Sequence, residues 1–157
     1  MDWGTLVGTV VGAMLGIGST LIADRTRYRR EQASRAYDAL RDLYSTYLAA
    51  LNDSSTALRV IILKESDAAA RYQAALDAFR DASVLTQRYG MALQAPPEVR
   101  EKSDQAYGLL RQWRDLLETH PGLSLTSPEY REGLDRFHQA REDLQVAMRA
   151  SLVAVAR

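Results

Sequence analysis

The rhythm of apolar and polar positions changes once along the chain, near residue 24. Residues 3–23 form a run of 21 positions without a charge. As a helix rising 1.5 Å per residue, that run covers about 30 Å, the hydrocarbon thickness of a bilayer. Buried helices of globular domains are seldom apolar on every face for so long. A secretory signal would open on basic residues and close on a small-residue cleavage site. This one opens Met-Asp-Trp and closes Leu21-Ile22-Ala23-Asp24. The pattern therefore predicts a retained transmembrane helix.

Beyond residue 30 the apolar positions fall on one face. Tyr37, Leu40, Tyr44, Tyr47, Leu51, Ser54, Leu58 and Ile61 alternate spacings of three and four, an a/d seam over more than three heptads. No proline or glycine interrupts residues 19–67, so the first helix is expected to run on from the membrane and end near Leu63 or Lys64. Ser66 or Asp67 is placed to cap a second helix with the stripe Tyr72, Leu76, Phe79, Ser83, Thr86 and Tyr89. Gly90 or Ala95-Pro96-Pro97 would end it. A third helix starts at the prolines with the seam Val99, Ala106, Leu110, Trp113 and Leu117, and stops at His120-Pro121-Gly122. Ser127-Pro128-Glu129 reads as N-cap, N1 and a dipole-favoured acid. The fourth helix then carries Tyr130, Leu134, Phe137, Leu144, Met148, Ser151 and Val155. No segment alternates with period two. The expected fold is all-α, with residues 1–24 as a transmembrane anchor continuous with the first helix of an antiparallel four-helix cytoplasmic bundle at 25–157.

Within the anchor, Gly4, Gly8, Gly12 and Gly16 make three overlapping GxxxG units. Glycine inside a helix costs roughly 0.5–1 kcal/mol relative to alanine. Between helices in lipid, bare backbone at i, i+4 spacing allows the close approach on which association depends. Self-association, or pairing with another membrane protein, is the expectation. Arg25, Arg27, Arg29 and Arg30 follow the span, which by the positive-inside rule puts the N-terminus outside a bacterial inner membrane and the remainder in the cytoplasm. The same arginines could meet anionic head groups of the lipid bilayer.

The stretch W-G-T-L-V-G-T-V-V-G-A-M-L-G-I-G-S-T-L-I-A-D-R, residues 3–25, resembles short single-span membrane proteins common in actinobacterial genomes. Those proteins carry a glycine-patterned anchor, a Ser-Thr-Leu-x-x-Asp-Arg exit and a helical cytoplasmic part. The resemblance covers the first 30 or so residues and implies topology, not activity.

Composition narrows the chemistry. The net charge is zero, which argues against a nucleic-acid partner. There is no cysteine, so disulfides, thiolate metal sites and cysteine nucleophiles are excluded. Asp135 and His138 form a single Asp-x-x-His where a two-metal bundle would need Glu-x-x-His on two helices. His120, beside Pro121, reads as a helix-terminal residue. No phosphate loop or nucleophile elbow is present. Among eight tyrosines, Tyr37, Tyr44 and Tyr47 stand as possible interface aromatics on the first helix. The expectation is a non-enzymatic, cofactor-free scaffold, adaptor or regulator. An oligomeric or mechanically gated pore, lined by Thr5, Thr9, Ser19 and Thr20, is the alternative.

Overall fold

The computed structural model describes residues 3–65 and 67–156, with side chains placed at Tyr28 and from residue 31 on. Among these residues the chain is helical without strands. Helix α1 spans Trp3–Lys64, α2 Ala68–Asp81, α3 Val84–Gln94, α4 Pro97–Thr119 and α5 Pro128–Val155. The fold class is all-α.

Local chemistry sets most boundaries. Asp67 occupies the N-cap of α2 in extended conformation, and its Oδ2 accepts from the Ala70 N–H at 2.8 Å. Arg71, one turn on, donates to the carbonyls of Ile62 (3.3 Å) and Glu65 at the end of α1, and to Leu123 O (3.1 Å) in the α4–α5 loop. One guanidinium thus satisfies carbonyls that the end of α1 leaves open and holds two connections together. Pro97 and Pro128 stand in the first turns of α4 and α5, each followed by a glutamate. Ser127 holds the N-cap position of α5, but its Oγ turns back to accept from the Ser124 N–H at 3.0 Å and does not cap the helix.

The seam expected for the third helix is buried throughout as α4: Val99, Ala106, Leu110, Trp113 and Leu117. Tyr44, Tyr47, Leu51 and Leu58 of α1 face it, with Phe137, Leu144 and Met148 of α5 alongside. Tyr44 meets Ser151 while Arg59 lies near Tyr130, so α1 and α5 run antiparallel. Arg114 of α4 lies over the rings of Tyr72 (5.9 Å) and Phe79 (5.1 Å), which ties α4 to α2.

The second helix expected from the pattern is two helices. Ser83 adopts φ 55°, ψ 25°, the left-handed region, and separates α2 from α3. This break shifts the helical phase. Ser83, Thr86 and Tyr89, expected inward, are exposed, whereas Val84 and Met91 are buried. A left-handed serine costs roughly 1–2 kcal/mol. Ser83→Gly should therefore raise stability by up to about 1 kcal/mol in urea unfolding, once the added freedom of the unfolded glycine is subtracted. A loss of stability would mean that the serine side chain itself holds the bend.

Among the described residues, no helix is long and apolar enough to cross a membrane. The physical reason is the spacing of charge. From Glu31 to the end of α1, the longest stretch free of Asp, Glu, Lys and Arg is ten residues, 43–52. That is about 15 Å of helix, half of a hydrocarbon core. Its large side chains, Tyr44, Tyr47 and Leu51, are buried inside the protein. The expectations of a single-pass membrane protein, of an inner-membrane location and of a pore are corrected accordingly. The expected span at 3–23 itself, with Gly4, Gly8, Gly12 and Gly16 and the following Arg25, Arg27, Arg29 and Arg30, lies outside the residues whose side chains are described.

Candidate docking surface

The tyrosines singled out in the sequence lie at the bundle rather than on its outer surface. The Tyr47 hydroxyl donates to Ser103 O on α4 at 3.1 Å, and that of Tyr44 lies 3.0 Å from Ser151 Oγ on α5. Both rings are buried, and Tyr37, nearer the N-terminal end of α1, is half-buried. Burial pushes the Tyr47 phenol up to about 12, against the opposing effects of the Ser103 side chain and the Arg88 charge. The two hydroxyls serve as bonds between helices. His120 closes α4 with Nδ1 2.9 Å from Thr119 Oγ1, and His138 leans on the Phe137 ring. No group of His, Cys, Asp or Glu among the described residues is arranged to hold a metal ion.

The interior is closed by small residues. Ala75, Ala106, Ala140 and Ala147 are buried between helices. Gly133 brings the α5 backbone against Trp113, where even a methyl group would lie 2.6 Å from the indole Cδ1. Such close approach leaves the surface as the place where chemistry differs from an ordinary bundle.

On α3, Leu85, Tyr89 and Leu93 are 43 %, 58 % and 85 % exposed. Spaced i, i+4, i+8, they form one stripe about 12 Å long. The single charged residue of α3, Arg88, turns to α4, where its Nε donates to Asp104 Oδ1 at 2.9 Å and its guanidinium stacks 4.9 Å from the Tyr107 ring centre. The outward face of α3 is left uncharged, with Leu85, Tyr89 and Leu93 as its large side chains and Thr86 and Gln94 as neutral polar flanks. Sequence reasoning missed it because Tyr89 was assigned to the interior. The i, i+4, i+8 spacing of the three residues was the available signal.

Beside it, α2, which begins at Ala68, follows α1, which ends at Lys64, and Arg71 of α2 reaches back to the Ile62 carbonyl. Their outer sides frame a shallow groove of about 630 Å³. Val60 and Ile61 of α1 and Ala74 of α2 line it toward the α1–α2 connection, Ala57, Asp77 and Ala78 line its middle, and Asp53 and Asp81 stand at the end farthest from the connection. Leu63, 69 % exposed, extends the apolar end past the groove. Arg80 pairs with Asp77 at 2.7 Å, while Asp53 and Asp81 have no ion-pair partner among the described residues.

No protein-family model, curated protein or solved structure matches the chain.

Proposed function

We propose that the chain is a non-catalytic helical interaction module, in which an antiparallel bundle of four rods presents an apolar face to a protein partner. The second rod is the kinked pair α2 and α3, between α1 and α4. The observation that carries this reading is the uncharged stripe of Leu85, Tyr89 and Leu93. Contiguous apolar patches on protein surfaces mark interaction sites, and here the one cation of α3, Arg88, is turned to Asp104. A net charge of zero favours a protein partner over a nucleic acid.

The test is position-specific photo-crosslinking in cells. A photoreactive phenylalanine analogue in place of Tyr89 or Leu93 is expected to give discrete protein adducts, whereas the same analogue at exposed Arg131 on α5 gives none. Adducts absent from both α3 positions, or equally strong from position 131, would overturn the assignment.

A further inference from the structure

We infer that the groove between α1 and α2 is a self-association site, occupied by residues 17–30 of a second copy of this chain lying antiparallel to α1. This rests on the reading of the chain as an interaction module and names the partner of one of its surfaces. The groove is polarised along its length. Its walls are alanine, valine and isoleucine toward the α1–α2 connection, with Asp53 and Asp81 at the far end and Asp77, paired with Arg80, between. The chain contains a segment with the matching order. Residues 17–23 are uncharged and include Ile17, Leu21 and Ile22, and after the single Asp24 come Arg25, Arg27, Arg29 and Arg30. Laying arginine on aspartate and apolar on apolar fixes the direction. The segment must run opposite to the α1 that it covers.

Reach decides that it comes from another copy. Helix α1 is continuous over 62 residues, so positions 27 and 57 of one chain stand about 45 Å apart along a rigid rod. No chain can fold its own basic stretch into its own groove. An antiparallel pair solves this symmetrically, because each α1 supplies a segment to its partner and receives one in return, as a two-fold interface requires. The axis then passes α1 near residue 40, just short of the first fully buried residue, Tyr44, and beside residues 31–36, which are all exposed. Buried arginine–aspartate contacts at the groove's end would set register and specificity more than raw affinity.

The experiment uses the full chain and sedimentation velocity at low and high salt. A dimer is expected that weakens at high salt. Asp53→Arg with Asp81→Arg should weaken it by about tenfold or more, as should Arg27→Glu with Arg30→Glu. Mixing the two reversed chains should restore a heterodimer. All these aspartates are on the surface, and an unchanged melting curve checks that folding is intact. Since the chain has no cysteine, Arg27→Cys and Thr56→Cys on separate chains give a direct geometric readout, an intermolecular disulfide under mild oxidation. A monomer at all concentrations overturns the inference. So does a dimer indifferent to the reversals, or a chain that partitions into phosphatidylglycerol vesicles equally well with the groove reversed. A monomer that still gives adducts at position 89 defeats the groove alone. A charge-swappable dimer without adducts at 89 defeats the α3 surface alone.

Discussion

Replacing Trp113 by alanine is expected to remove about 3–5 kcal/mol of folding stability, read from urea unfolding followed by far-ultraviolet circular dichroism. The indole is 2 % exposed and sits between the rings of Tyr130, 5.2 Å away, and Phe137, 6.2 Å away. It therefore loses both its transfer free energy and two aromatic contacts, and the rigid α4–α5 pair can close little of the space left behind. The slot exists because position 133 is glycine. A Cβ there would lie 2.6 Å from Cδ1 and 3.2 Å from Cγ of the same ring. Gly133→Ala sets a helix-propensity gain of about 1 kcal/mol against overpacking of about 1–3 kcal/mol, so a net loss is expected. In a Trp113→Leu background the clash is gone and the same substitution should be neutral or favourable. The two sites must then couple in a double-mutant cycle. Gly108 supplies the contrast. Its added Cβ meets nothing within 4 Å, so Gly108→Ala should stabilise by about 0.5–1 kcal/mol. If Gly133→Ala gains as much as Gly108→Ala, the close approach of α5 to Trp113 is wrong.

That pair of helices was legible in the sequence because everything that defines it is local. Pro97 and the His120-Pro121-Gly122 break bound α4, and between them each a/d position carries an apolar or small side chain, so spacing alone identified the buried face. The α2–α3 rod lacked such marks. No proline or glycine stands at 82 or 83 to mark the left-handed Ser83, whose neighbours Phe79 and Val84 are both buried. Once that bend is missed, every inward assignment after it is out of phase, and the exposed face of α3 goes unseen. The tyrosine hydroxyls were opaque for a similar reason. Tyr44 and Tyr47 bond to residues 107 and 56 positions away in sequence, and no periodicity pairs atoms across such distances. The α1–α2 groove depends on the register of two helices, which fixes whether Asp53 and Asp81 share an end. Hydropathy, finally, reads residues 3–23 as though only lipid could cover them. A protein surface with an apolar floor is a second solvent for such a segment, and local pattern does not distinguish the two.

Stability should stay level up to about pH 10 and then fall by about 2–3 kcal/mol by pH 12, through the ionisation of Tyr47. In the unfolded chain this phenol titrates near 10; in the fold, burial holds it protonated to about 12. Between those values the unfolded state releases a proton that the folded state keeps, so rising pH draws the equilibrium toward unfolding. Below 10 both states are protonated and the contribution is constant. Tyr130 is also raised by burial, with Arg59 opposing, and adds to the fall in the same direction. Tyr47→Phe should cost about 0.5–1.5 kcal/mol at neutral pH by deleting the bond to Ser103 O, and should flatten the alkaline limb by close to one proton. Urea unfolding across this pH range, with phenolate absorbance recorded in parallel, measures both effects; an alkaline slope unchanged in Tyr47→Phe would show that another group carries it. The consequence reaches the surface, because α1 is at once the helix that Tyr47 ties to α4 and one wall of the groove. Raising pH would loosen that wall, so a dimer lost above pH 10 would report the fold and not the arginine–aspartate contacts. Salt, which screens surface charges while leaving the Tyr47–Ser103 bond intact, is therefore the perturbation that isolates the interface.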